Sequence, residues 1–227
     1  REDLFAATPP LEAKKILFSL AVTKGVGFKE NRKQGMKLDF IDVKRAYFHA
    51  KCKRDVYVKL PMEDHEEGMC GKLNMSMYGT RDAAQNWEEA YSAFMVEIGF
   101  RRGMASPCIF YHASRNIRAV IHGDDFTLLG YDEDLNWFRD QIAANFEVKF
   151  RGRLGPGYDD EKAIRILNRV VYWTFDGIRY EPDQWHAEII ISKLGLTGKK
   201  SISTQAVKQC NTKDEENDDE FLGSEDT

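Results

Sequence analysis

Apolar residues recur along much of the chain at the three- and four-residue spacing that is typical of amphipathic helices. The strongest example covers residues 82–99, where Asp82 stands at the position of an N-cap before the apolar stripe. Residues 132–146 and 183–195 carry the same pattern. Each of these segments therefore predicts a helix with one buried face.

An earlier segment, residues 8–25, also predicts a helix. Thr8 is its expected N-cap, and the proline that follows suits a first helical turn. The residues expected to face inward are Ala13, Ile16, Leu17, Leu20 and Ala21.

Between these helices the pattern changes to short apolar runs with alternation, which predicts strands. The predicted strands cover residues 36–43, 55–60, 106–112, 117–122 and 126–131, and a hairpin covers residues 170–181. Alternation would place Leu38, Phe40 and Asp42 on one face of the first strand. The order of elements favours an α+β fold, with helices packed on one face of a largely antiparallel sheet.

Composition fits a soluble globular chain of 227 residues, with 42% hydrophobic and 31% charged residues. No apolar run reaches the length of a membrane span, so we expect no membrane partner. The four cysteines lack CxxC spacing, which favours isolated thiols.

The net charge of −4 is unevenly distributed. Residues 213–227 carry eight acids and one lysine, so the other 212 residues sum to +3. The acidic tail is expected to be disordered, while the mildly basic body permits contact with phosphates.

Two aspartates, Asp124 and Asp125, follow a glycine between two predicted strands. Aspartates are common in turns for purely conformational reasons. Asp42, however, closes the strand of residues 36–43, and neighbouring antiparallel strands would bring Asp42 and Asp124 to one edge. Clustered carboxylates suit Mg²⁺, and a pair of such ions supports in-line displacement at a phosphate.

Longer motifs resemble the reverse transcriptase domain of copia-type LTR retrotransposons. The matching stretches are "FIDVKRAYFHAKCKRDVYVKLP", "GKLNMSMYGTRDAAQNW", "GFRRGMASPCIFYH", "IHGDDFTLLG" and "FEVKFRGRLG". The resemblance covers about residues 4–207. It implies a reverse transcriptase domain over residues 1–207, with a palm-like antiparallel sheet, a truncated fingers segment and the edge of a connection region. An acidic disordered tail would follow at residues 208–227.

The resemblance also implies residue roles. Asp42 and Asp124 would ligate two Mg²⁺ ions, with Mn²⁺ as an alternative, and Asp125 would assist. The backbone carbonyl of Val43 would be a further ligand, and Tyr47 would exclude ribonucleotides by clashing with a 2′-hydroxyl. The expected substrate contacts beyond the aspartates are Val43, Tyr47, Tyr78, Gly79 and Lys149.

The implied activity is RNA-directed DNA polymerisation on an RNA or DNA template with a primer and dNTPs, within a longer Pol polyprotein. Such elements copy RNA in cytoplasmic virus-like particles, with access to the nucleus. His122 and Gly123 stand where the family usually has Tyr-Val. Two alternatives stay open: an inactive retroelement remnant that binds nucleic acid or is structural, and an unrelated two-metal nuclease.

Overall fold

We describe residues 6–199 of a computed structural model of the chain. The chain divides into two units, the first ending at Asp183 and the second beginning at Gln184. The predicted acidic tail lies outside the described residues. None of the described helices is long and apolar enough to cross a membrane.

The first unit has three α-helices and eleven strands among its described residues. The helices are α1 (Leu11–Ala21), α2 (Ala83–Glu97) and α3 (Asp132–Asn145). The strands are β1 (Lys37–Val43), β2 (Tyr57–Val58), β3 (Gly71–Lys72), β4 (Arg101–Arg102), β5 (Ile109–His112), β6 (Ile117–His122), β7 (Asp125–Gly130), β8 (Val148–Leu154), β9 (Ala163–Ile166), β10 (Arg169–Trp173) and β11 (Ile178–Pro182). In the second unit, α4 covers Trp185–Lys193.

Six strands form one antiparallel sheet in the order β4-β5-β6-β7-β1-β8. A three-stranded sheet has the order β11-β10-β9, and β2 pairs with β3. The α+β class and the antiparallel sheet predicted from the sequence are confirmed. β1 is an inner strand of the larger sheet, so both of its edges are hydrogen-bonded, to β7 and to β8.

Helices cover both faces of the six-stranded sheet, so the prediction of helices on a single face is wrong. Ile41 and Val43 of β1 share a buried cluster with α2 and α3. Leu38 and Phe40 point to the opposite face, where they pack in a second cluster with α1 and with the sheet β9–β11. Alternation along β1 was predicted correctly, but hydrophobic spacing does not say on which side of a sheet a helix packs.

The start of α1 also differs from the prediction. Its N-cap is Pro10 rather than Thr8, and no side chain caps it. Ile16 is 56% exposed, whereas Phe18 and Lys14 are buried. The buried stripe is therefore rotated from the predicted one, because α1 packs in the second cluster through Leu17 and Phe18.

Asp39 is fully buried on the face of β1 that meets α3. Its carboxylate accepts hydrogen bonds from Arg139 of α3 and from Arg153 of β8, at 2.7–2.9 Å. Buried carboxylates are tolerated when they are paired and hydrogen-bonded in this way. This network links β1, α3 and β8 at a position three residues before Asp42.

Candidate active site

The registers of two strand pairs bring the acidic motifs together. Asp42 of β1 stands directly opposite Asp125 of β7, and His122 of β6 stands opposite Asp125 on its other side. Directly opposed residues have Cβ atoms about 5 Å apart, and like charges in such positions destabilise a sheet. The two carboxylates are 19% and 16% exposed, so water screens their repulsion only in part.

Asp124 lies in the turn between β6 and β7, and it is exposed. Gly123 precedes it with φ of 63°, a left-handed conformation that glycine adopts without strain. Two hydrogen bonds fix the turn: Val43 N–H donates to the Asp124 carbonyl and the indole Nε1–H of Trp87 donates to the Gly123 carbonyl, each at 2.9 Å. The turn is thereby attached both to β1 and to α2.

A β-bulge directs Arg151 at these carboxylates. Phe40 pairs with Gly152 and Ile41 with Phe150, so Arg151 is the extra residue of β8 and has no partner in the register. Its guanidinium lies 2.8 Å from Asp42 Oδ1 and 3.8 Å from Asp125 Oδ1. One cation from the chain itself therefore sits between the two opposed acids.

Gly152 makes the bulge feasible. Its φ is 146°, and a Cβ there would lie 3.0 Å from the Glu161 side chain and 3.1 Å from that of Ile164. A larger residue would strain the backbone and crowd β9, which would move Arg151 away from the acids.

Burial and charge shift the titration of the site. Burial raises the pKa of Asp125; Arg151 opposes this effect, and the charges of Asp124 and Asp42 add to it. The hydrogen bond with Asp42 raises the pKa of Arg151, so this guanidinium stays charged. Burial, together with the charge of Lys14, lowers the pKa of His122, which favours a neutral imidazole.

The donor set fits Mg²⁺ through two protein carboxylates. Across residues 6–199, no group of three or more histidine, cysteine, aspartate or glutamate side chains is arranged to hold a metal ion. Mg²⁺ needs fewer: it is usually bound through one or two carboxylates, with water and substrate phosphates completing six oxygens. Asp42 and Asp125 provide such a pair, and Arg151 already shows that the pair attracts a cation.

Tyr47 lies beside the acidic turn, in a short 3₁₀ helix that follows β1. Its ring is 4.4 Å from that of Tyr78, and Phe48 contacts Tyr78 edge-on at 5.7 Å. Burial raises the pKa of Tyr47, and the charges of Tyr78 and Asp124 contribute. Tyr78 and Phe48 are 48% and 44% exposed, so this aromatic surface is open to a flat ligand.

The remaining expected contacts lie at the same end of the sheet or on a nearby loop. Lys149 pairs in register with Asp42 from the β8 side, and it is exposed. Gly79 follows Tyr78 in the loop that precedes α2. The roles assigned to Asp42, Asp124, Asp125, Val43, Tyr47, Tyr78, Gly79 and Lys149 stay predictions.

Two residues at the site were missed from the sequence. Arg151 stands in "KFRGR", where a glycine inside a strand signals a bulge that can redirect a neighbouring side chain. Lys14 stands in the apolar stripe of α1, where a charged residue would ordinarily face solvent. Only its buried position reveals that it belongs near Asp125.

The chain is similar in sequence to retrotransposon Pol polyproteins. The chain is 23% identical over 178 residues, 74% of its length, to the Retrovirus-related Pol polyprotein from transposon TNT 1-94 of Nicotiana tabacum. It is 25% identical over 131 residues, 56% of its length, to the Transposon Ty1-GR3 Gag-Pol polyprotein of Saccharomyces cerevisiae. The matches span only 13% and 7% of these two relatives. The family profile described as reverse transcriptase (RNA-dependent DNA polymerase) matches residues 11–207, and the chain therefore belongs to that family.

Proposed function

We propose that this chain is the RNA-directed DNA polymerase domain of a copia-type retrotransposon. It adds deoxynucleotides to a primer 3′-hydroxyl by two-metal nucleotidyl transfer. In this proposal the six-stranded sheet is the palm. The partners are an RNA or DNA template with its primer, dNTPs, and the remainder of a Pol polyprotein.

The observation that carries the proposal is the pairing of Asp42 with Asp125 across two antiparallel strands, next to the turn that carries Asp124. Such a pair is costly unless a cation lies against it. A pair of divalent ions held there would activate the attacking hydroxyl and stabilise the leaving pyrophosphate. Family membership supports the same chemistry.

The chain's own residues would bind and orient the substrates. The aromatic surface of Tyr47, Tyr78 and Phe48 borders the acidic turn and offers ring faces to a base and a sugar. Tyr47 is held against Tyr78, so it cannot easily move away from an added 2′-hydroxyl. Lys149, exposed beside Asp42, would attract a triphosphate.

The test is incorporation of dTTP on a poly(rA)/oligo(dT) primer-template by the full chain in the presence of Mg²⁺. Asp42→Asn and Asp124→Asn should each lower the rate at least about a hundredfold, because each removes a charge that holds the ions. Asp159→Asn changes the same charge at an exposed loop position and should leave the rate unchanged.

Three results would contradict the proposal. Equal rates for the wild type and Asp42→Asn would exclude these carboxylates from the reaction. Primer binding without any Mg²⁺-dependent extension would identify an inactive remnant. Shortening of a labelled primer without extension would identify a nuclease.

A further inference from the structure

Lys14 is an unusual residue for the interior of this fold. It lies on α1 and is only 3% exposed. Its Nζ has no hydrogen-bond partner within the described part of the chain. Burying an ammonium without a partner costs several kcal/mol, and burial accordingly lowers the pKa of Lys14. An anion bound beside it would offset this cost and favour the charged form.

The charge of Lys14 is compensated only at a distance. Asp125 acts on it electrostatically, but the two groups form no ion pair or hydrogen bond in the described structure. Asp125 is instead shared with Arg151. Any cation that binds Asp125 from the other side would weaken this partial compensation and leave Lys14 still more in need of an anion.

Lys14 lines a cavity of about 220 Å³ beside the acidic turn. Its other polar side chains are those of His122, Arg169 and Tyr180, and none of its lining residues is acidic. Arg169 of β10 is held over the ring of Tyr180, 5.2 Å from the ring centre, which orients the guanidinium. Prolines and leucines of the α1 entry and the β9–β10 turn close the remaining walls.

We propose that this cavity, here called the Lys14 cavity, binds a phosphate group through Lys14 and Arg169. Two cationic side chains, one buried and one oriented by a ring, match the several oxygens of a phosphate. The volume exceeds that of a single water, about 30 Å³, and leaves room for such a group.

The proposal rests on the proposed function and adds a substrate contact to the same site. His122 lines the cavity and also stands opposite Asp125 in the sheet, so a phosphate bound there lies next to the acidic pair. Two sources share this chemistry: a backbone phosphodiester of a bound nucleic-acid strand, and a free phosphate or pyrophosphate.

The experiment measures binding in EDTA, so that it does not depend on catalysis. The full chain is titrated onto a fluorescein-labelled oligo(dT)/oligo(rA) duplex at several salt concentrations, and onto inorganic phosphate and pyrophosphate by calorimetry. The variants are Lys14→Met and Arg169→Gln. Lys15→Met, an exposed change on the same helix, is the matched control.

If the bound group is a backbone phosphodiester, Lys14→Met should weaken duplex binding about tenfold. This is the loss expected for a charge-assisted hydrogen bond. The slope of log affinity against log salt should fall by about one relative to Lys15→Met. Arg169→Gln should act in the same direction. If the bound group is instead free phosphate or pyrophosphate, the variants should lose binding of that ligand and keep duplex binding.

Thermal unfolding shows whether each variant is folded. Lys14→Met should fold and melt at a higher temperature than the wild type, because an unpaired buried charge is replaced by an apolar side chain of similar size. Unchanged binding of all three ligands by a folded Lys14→Met would overturn the phosphate site, as would a wild type that binds none of them. Primer extension that persists alongside unchanged binding would leave the polymerase function standing without it.

Discussion

Arg151 gives the sharpest prediction about how the acidic pair works. In the absence of divalent ions its guanidinium is the cation between Asp42 and Asp125. An ion that binds this pair must displace or share the guanidinium. Replacing Arg151 with glutamine should therefore destabilise the ion-free protein and, at the same time, strengthen its affinity for Mg²⁺.

The size of the effect follows from the exposure of the pair. Arg151 is 37% exposed and Asp42 is 19% exposed, at 2.8 Å. Exposed ion pairs contribute about 0.2–1 kcal/mol, while breaking a buried pair costs about 3–5 kcal/mol. A half-buried pair lies between these limits, near 1–2 kcal/mol, which corresponds to a roughly tenfold gain in Mg²⁺ affinity for Arg151→Gln.

The assay is urea unfolding of the full chain across a series of Mg²⁺ concentrations, with EDTA as the starting point. Ligand binding to the native state raises the free energy of unfolding by RT ln(1 + [L]/Kd), so the Mg²⁺ dependence gives the affinity directly. In EDTA, the free energy of unfolding of Arg151→Gln should be lower than that of the wild type. It should then increase at a lower Mg²⁺ concentration than the wild type requires.

Arg115→Gln is the matched control. Arg115 pairs with Asp134 at 3.1 Å, and the two side chains are 37% and 24% exposed. The Arg115→Gln variant therefore loses an ion pair of similar exposure that lies away from the acidic turn. It should lose comparable stability and keep the wild-type response to Mg²⁺. If Arg151→Gln and Arg115→Gln respond to Mg²⁺ alike, Arg151 does not compete with the ion and the reasoning fails.

Three further predictions concern stability and selectivity. Asp39→Asn should lower the free energy of unfolding by about 3–5 kcal/mol in urea titrations, because Arg139 and Arg153 lose their shared buried carboxylate. The pKa of Asp82 is lowered, chiefly by Arg54, so its stabilising contribution should be present above the unfolded pKa near 3.9 and lost as pH falls through the lower folded pKa. In urea titrations over this acid range, Asp82→Asn should therefore lose stability less steeply than the wild type. Tyr47→Val should raise the ratio of ribonucleotide to deoxynucleotide incorporation in primer extension.

Each of these has a control and an opposing result. Asp140→Asn, an exposed change on α3, should leave the free energy of unfolding nearly unaltered. An equal loss of stability in Asp39→Asn and Asp140→Asn would show that the Asp39 network does not stabilise the fold. Parallel acid limbs for the wild type and Asp82→Asn would mean that Arg54 does not shift the carboxyl. Tyr158→Val changes a fully exposed tyrosine, and an unchanged ratio in Tyr47→Val would remove the sugar gate.

Sequence periodicity predicted α2, α3, β1 and the hairpin of β6 and β7 because each has one strong local signal. The same signal could not place α1, since an apolar stripe does not specify which face of the sheet it meets. It also favoured Ile16 over Phe18 as an inward-facing residue, and only the packing of α1 in the second cluster shows that Phe18 is the buried one. Tertiary contacts overrode local preference there.

The sequence predicted the acidic residues of the site but not the basic residues Arg151 and Lys14. The spacing of the motifs predicted that acids from two strands meet at one sheet edge, and the register supplies the detail that Asp125, rather than Asp124, stands opposite Asp42. Arg151 reaches the acids only through a bulge, and Lys14 only through the packing of α1. The strand glycine Gly152 signals the bulge but not which side chain it redirects, and no local sequence pattern shows that Lys14 is buried.

Binding of Mn²⁺ to the full chain, counted by electron paramagnetic resonance with primer-template and dTTP present, tests the central claim most directly. The account predicts two bound ions per chain, and loss of this binding in Asp42→Asn but not in Asp159→Asn. Mn²⁺ binding that is absent, or that is unchanged by Asp42→Asn, would contradict the claim that acids from two strands hold the ions of this polymerase.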